Sequence, residues 1–284
     1  MAAPSNEVVG VNVLTKYAGT LVGGQTDLSL EKSVNLQEVE DKEAGFFGNS
    51  IPGFKESQIS LDNAYTGTGG EHLLGKDDNV KVELTSEDGN TTETVQGLQE
   101  MTCTLESDLT EVQTFQSVDA KEYRVAGQSL DLSLSGQYFD PEATDGAGHD
   151  LILSAEESGE YLTLALTFGA LTIEGDIRPE DWTLQAPAGN ETATFDSNFR
   201  HEGVITHSGS IDGGLDAAID AWFNRNTLSL LVEYQEGGST VTGATKYEGS
   251  AFVSTLELSG TQGEPLNLNQ DLEVTGGLTR GTQA

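Results

Sequence analysis

YLTLALTF, residues 161–168, sets Leu162, Leu164, Leu166 and Phe168 on alternate positions, with Thr163, Ala165 and Thr167 between them. A period of two sends successive side chains to opposite faces, so this stretch reads as a strand with one face against a core. An amphipathic helix would instead space its apolar residues three and four apart. The same alternation runs outward in both directions. It appears in DLSLEKSVNL (Leu28, Leu30, Val34, Leu36), VKVEL (Val80, Val82, Leu84), MTCTLE (Met101, Cys103, Leu105) and LDLSL (Leu130, Leu132, Leu134), then again in FVSTLEL and LNLN near the C-terminus. Turn-forming residues separate these runs at Asp88-Gly89-Asn90, Asp145-Gly146-Ala147-Gly148 and Gly237-Gly238. The expected fold class is mainly β and antiparallel, built as sandwich- or barrel-like domains with long hairpins.

One segment breaks the period. In IDGGLDAAIDAWFNRN, residues 211–226, Leu215, Ala218, Ile219, Trp222 and Phe223 form a single apolar stripe. This predicts a short helix near 213–224, with Asp212 as N-cap and Asp216 in the first turn, where the helix dipole favours negative charge.

Composition narrows the function. Of 284 residues, 47 are acidic and 13 basic, a formal charge of −34. With no basic block, this surface repels phosphate backbones, which argues against specific nucleic-acid binding. No apolar run approaches the roughly 20 residues that span a bilayer, so no membrane partner is expected. MAAPSNEVVGVNVLTKY has neither a charged n-region nor an apolar h-region, so no signal peptide is expected. A lone cysteine excludes an intramolecular disulfide and a multi-cysteine zinc site. The acidic residues are spread along the whole chain and lysine is scarce. That composition fits a protein living in molar salt, where screening acts within about 3 Å.

Sliding the chain by 150 residues brings Gly19 onto Gly169, Leu21 onto Leu171, Gly53 onto Gly203, Ser60 onto Ser210 and Asp62 onto Asp212. EYRVAG (122–127) falls opposite LEVTGG (272–277) at the same offset, while an offset near 74 sets TIEGD (172–176) on KYEGS (246–250). The longer offset predicts two tandem β domains, 1–128 and 151–284, joined by an acidic, glycine-containing linker over 129–150. TGTGGEHLLG, residues 66–75, stands where the first copy would carry the helix.

Catalytic and cofactor motifs are absent from this reading. His72, His149, His201 and His207 are scattered, and no glycine-rich phosphate loop joins a strand to a helix. The chain is therefore expected to be neither an enzyme nor a cofactor binder. DPEATDGAGHD carries Asp140, Asp145 and Asp150, oxygen donors that could gather around a hard cation, although without calcium-loop spacing. A solvated linker explains the same residues. Cys103 shares its parity with Met101 and Leu105 and reads as a buried thiol; Trp182 and Trp222 read as core anchors.

The order strand, SGSID, helix, strand, turn, strand in HSGSIDGGLDAAIDAWFNRNTLSLLVEY, followed by KYEGSAFVSTLELSG and LNLNQDLEVTGGLTR, resembles the major tail tube proteins of long-tailed viruses of bacteria and archaea. Tyr247, Glu248 and Gly249 stand at the turn that opens that family's long hairpin. GGQTDLSLEKSVNLQEVEDKEAGFFGNSIPGFKESQISL, residues 23–61, resembles its first hairpin, acidic loop and following strand. The resemblance implies a structural virion protein, assembled in the host cytoplasm, whose rings stack into a hollow tube that passes double-stranded DNA without binding it. With four strands per domain and six domains per ring, two domains per chain imply a homotrimer of pseudo-sixfold symmetry. Without the tandem repeat, a hexamer of chains serves equally. Other tail proteins would meet the tube ends, and the acidity points to a virus of a halophilic archaeon. The alternative reading is an extracellular or surface-layer β-sandwich protein of a halophile.

Overall fold

The computed structural model describes residues 13–22, 25–39, 49–63, 79–112, 120–139, 146–186, 192–211, 213–236 and 239–284. In chain order the first half carries β1 (Val13–Tyr17), β2 (Thr20–Leu21), β3 (Gln25–Val39), β4 (Asn49–Asn63), β5 (Val80–Ser86), β6 (Thr92–Thr94), β7 (Leu98–Val112) and β8 (Glu122–Gln137). The second carries α1 (Ala147–Ser158), β9 (Leu162–Phe168), β10 (Leu171–Gln185), β11 (Thr194–Gly209), α2 (Gly213–Phe223), β12 (Leu228–Glu236), β13 (Ser239–Thr240), β14 (Thr245–Thr261) and β15 (Asn267–Thr282). The mainly β, antiparallel expectation holds, and no helix among the described residues is long and apolar enough to cross a membrane.

All fifteen strands join one sheet. Eight of them are long, at 15 to 17 residues, and lie side by side in the order β3-β4-β15-β14-β7-β8-β11-β10. Alternation does the packing: Ile59, Leu272, Leu256, Leu105, Leu130, Leu132 and Phe199 follow one another across this run and are all buried. The opening motif behaves as expected, with Leu162, Leu164, Leu166 and Phe168 of β9 in the same core. At the β4–β15 contact the core admits a polar pair, where the Tyr17 hydroxyl donates to Gln270 Oε1 at 2.9 Å.

The order of elements runs in parallel along the two halves of the chain. Past α1, the series β9, β10, β11, α2, β12, β13, β14, β15 repeats β1, β2 with β3, β4, an intervening segment, β5, β6, β7, β8. The two copies do not form separate sheets. β1 pairs with β12 and β5 with β9; β4 pairs with β15 and β8 with β11. At the centre β7 meets its own counterpart β14, antiparallel, with Leu105 opposite Leu256, Glu106 opposite Thr255 and Thr104 opposite Glu257. Thr104-Leu105-Glu106 and Thr255-Leu256-Glu257 are the same tripeptide, so a local two-fold passes through the leucine pair. Strands from 1–128 and from 151–284 interleave in the one sheet. The expected linker is also shorter than 129–150. Residues 129–137 continue β8 inside the sheet, and 147–150 open α1. Asp140 and Asp145 lie outside the described residues.

α2 spans the predicted helix, burying Leu215, Ala218, Ile219 and Trp222. Asp212, the expected N-cap, and the 66–75 segment lie outside the described residues. Asp216 reaches back instead: its Oδ1 accepts from the Ile211 amide at 2.9 Å and its Oδ2 from the Ser210 hydroxyl at 2.6 Å. α1 was not expected from the sequence. It packs on β5, β6 and β10, buries His149, Ile152 and Ala155, and ends at Gly159, whose φ of 73° suits a left-handed cap.

Candidate functional site

The eight long strands carry a second face, opposite the core. Following the register from β4 to β11, the outward residues are Ser60 and Asp62, then Asp271 and Glu273, Thr255 and Glu257, Thr104 and Glu106, Asp131 and Ser133, and finally Asp196 and Asn198. Each is half-buried or exposed, none is a lysine, and carboxylates recur on every strand except where serine and threonine intervene. A band so constituted carries a negative potential across its whole width.

Its electrostatics show in individual groups. Glu273 is half-buried and holds its proton more tightly than an ordinary carboxyl, because burial disfavours the charge and Asp271 beside it adds repulsion; Lys121 offsets part of this. Three cations near the band are tied down. Arg178 lies 3.2 Å from Glu202, and Arg200 lies 3.0 Å from Glu180 and 3.9 Å from Asp131. Lys121 is shared between Glu56 and Glu111. Such exposed pairs add little stability, but they mask the few positive charges available to a phosphate.

Both ends of the run have unpaired edges among the described residues. β3 pairs only with β4, and β10 beyond Ile177 pairs only with β11. Unpaired edge strands are templates for another chain. Leu184, 46% exposed, stands on the free stretch of β10.

The remaining sequence candidates are elsewhere. Asp150 is exposed on α1, and no group of three metal-ligating side chains occurs among the described residues. Cys103 is fully buried, and burial pushes its thiol up to about 12, with Asp131 adding to the shift. Trp222 is buried under α2. Trp182 is half-buried, stacked on Phe195 with ring centroids 5.1 Å apart. The sequence did not single out His149. It is buried among Tyr138, Phe139, Trp182 and Phe195, with Nδ1 3.2 Å from the Phe139 amide.

No family model matches the chain, and no curated protein matches it. Among solved structures, it is similar to a chain of the virion of a native gene transfer agent particle, at 14% identity and a TM-score of 0.40, over 47% of this chain and 98% of the other. A chain from the tail of an empty gene transfer agent particle gives 16% identity and a TM-score of 0.39, over 47% and 98%. A chain of the anti-feeding prophage baseplate gives 8% and 0.37, over 49% and 98%. Overlaps this loose decide nothing about function, which is argued below from the strands.

Proposed function

We propose that this chain is the structural subunit of a viral tail tube, joining copies of itself through sheet edges into closed rings that stack around a channel for double-stranded DNA. The observation that carries this reading is the run of eight long strands with one core face, a carboxylate-bearing band without lysine across the opposite face from β4 to β11, and, among the described residues, an unpaired edge at either end. Strand directions alternate along the run, so β3 and β10 point oppositely and a neighbour's β10 can add antiparallel to β3. Closing the run on itself removes both exposed edges.

With four strands from each of six domains, as the family resemblance implies, eight strands per chain make the ring a homotrimer. The local two-fold alters the expected symmetry. The halves point in opposite senses, so a closed ring repeats that two-fold at each β3–β10 junction in place of six like-oriented domains. The polar band lines the channel, where its carboxylates repel phosphate and let DNA pass without specific binding. The tube belongs to the virion tail, built in the host cytoplasm with other tail proteins at its ends, and the charge of −34 fits a virus of a halophilic archaeon.

Electron microscopy of the purified protein in about 2 M potassium chloride, where charges are screened within a few ångströms, should show rings and tubes. A stable monomer at high concentration refutes the reading. Thr104→Lys, Ser133→Lys and Ser60→Lys together should leave assembly intact but make tubes retain DNA, with retention falling steeply as salt rises. Unmodified tubes that bind DNA as strongly would refute the lining.

A further inference from the structure

Between β1, β3, β12 and β14 lies a groove of about 440 Å³ whose walls include Leu28, Leu30, Val232 and Tyr247. Leu28 and Leu30 are only half-buried and stand opposite the buried Leu61 and Ile59, so the groove opens on the face away from the polar band. Two cations flank its tyrosine. Lys32 Nζ lies 3.8 Å from the centre of the Tyr247 ring, and Arg280 is the β15 residue paired with Tyr247. Arg280 donates to Thr245 Oγ1 at 3.4 Å, and neither cation has a carboxylate partner among the described residues. Lys246 nearby is held by Glu248 at 2.7 Å, and Asp27 on the groove wall accepts from the Leu28 amide at 2.8 Å. Lys32 gives up its proton more readily than an ordinary lysine, first through desolvation and then through repulsion by Arg280. In a chain with 47 acidic residues, two adjacent cations with no counter-charge of their own mark a seat for carboxylates from outside.

The other end of the strands carries the complementary surface. β8 and β14 both run antiparallel to β7, so the start of β14, beside the groove, and the end of β8 lie at opposite ends. α1 sits by the end of β8, where His149 meets Tyr138, Trp182 and Phe195. Its inward face is Gly148, His149, Ile152 and Ala155. Asp150, Leu153 and Glu157, three and then four residues apart, form one outward stripe. Both carboxylates are exposed, and Leu153 is half-buried but, unlike Leu151, does not pack against the core. An apolar side chain between two carboxylates matches apolar walls beside two unpaired cations.

We propose that α1 of one copy seats in this groove on a copy in the adjoining ring, with Leu153 against Leu28 and Leu30 and with Asp150 and Glu157 facing Lys32 and Arg280. Such seating presupposes the stacked rings proposed above, because stacking is what brings opposite ends of the strands together. The contact is heterologous, so it repeats from ring to ring without closing. It lies on the face away from the polar band and leaves the channel clear.

Two variants of the full chain, Leu153→Cys and Leu28→Cys, are mixed, assembled in about 2 M potassium chloride and oxidised mildly while buried Cys103 stays unreactive. Disulfides joining one variant to the other are expected, and neither variant alone should link to itself. Tubes without such links, or links between like variants, overturn the seating and leave the tube reading standing. An unmodified chain that forms no rings overturns both. Lys32→Glu with Arg280→Glu changes two exposed side chains and gives a second reading. At about 0.5 M potassium chloride, tubes of this variant should be at least about tenfold shorter while single rings persist, and adding Asp150→Lys with Glu157→Lys should restore them. Tubes of normal length after the first pair of substitutions, or no recovery after the second, overturn the seating.

Discussion

Truncating the leucine pair at the local two-fold tests whether the two halves fold as one. Leu105 and Leu256 face each other across the β7–β14 junction and are both fully buried. Leucine to alanine removes three carbons, about 2.4 kcal/mol at about 0.8 kcal/mol per methylene, and the cavity left behind brings each single loss to about 3 kcal/mol. The two side chains adjoin one space. Leu105→Ala with Leu256→Ala should then depart from the sum of the singles by about 0.5–3 kcal/mol, as contacting pairs do. Urea unfolding of dilute protein, followed by far-UV circular dichroism and tryptophan fluorescence, should give one transition that both variants shift together. Trp182 and Trp222 report from β10 and α2, while the circular dichroism reports on the whole sheet. Two transitions, each moved by only one substitution, or singles that add to within about 0.3 kcal/mol, would refute the interleaved sheet.

Trp222→Ala should cost about 3–5 kcal/mol in chemical denaturation, because a buried indole under α2 leaves a large cavity. Glu273→Gln should stabilise the protein at pH 7. The native state holds the Glu273 proton more tightly than the unfolded chain, so the stability that proton brings is lost as pH rises through the folded pKa, and the variant's advantage should vanish below about pH 4. His149 runs the other way: burial lowers its pKa, so stability is complete above the unfolded value of about 6.5 and declines as pH falls below it. His149→Phe should flatten that decline in melts between about pH 7 and 5. Lowering potassium chloride from about 2 M to 0.1 M should lower both melting temperature and assembly, and equal behaviour in the two would contradict the salt-adapted reading of the charge.

Alternation is a local property, and it was legible wherever it governs packing: Leu162 to Phe168 and Met101 to Leu105 are buried as their parity requires. α2 was legible because its stripe is set by residues three and four apart. α1 was not. Leu151, Ile152 and Leu153 are contiguous, so no stripe stands out, and Gly146 and Gly148 weaken helix propensity at its start. Gly148 is explained only by packing, since a Cβ there would come within 2.7 Å of the Thr94 carbonyl oxygen. The pairing of the two halves was not legible: the register sets Ile59 opposite Leu272 and Phe199 opposite Leu132, which does not follow the Ser60–Ser210 match of the 150-residue offset. Whether β7 meets β14 or stays within its own half depends on register between strands some 150 residues apart, which no local pattern encodes. The polar band was legible only as composition. Knowing that Thr104 and Glu257 stand side by side required the β7–β14 pairing.

On the tube reading, the local two-fold bears on how rings stack. Two halves so related offer the same strand backbone to both rims of a ring, so rims built from the repeated strands alone would be alike. Rings whose two rims are alike and self-complementary stack without limit but in no direction, whereas a directional tube needs a heterologous contact between unlike rims. The difference between rims then lies where the halves have diverged. α1 seals its bed on β5 and β10 at one end of the strands, and the related bed at the other end is the groove walled by Leu28, Leu30 and Tyr247. Stacking sets a rim carrying α1 against a rim carrying the groove. Divergence at those two places, more than anything in the eight long strands, is what gives such an assembly a direction.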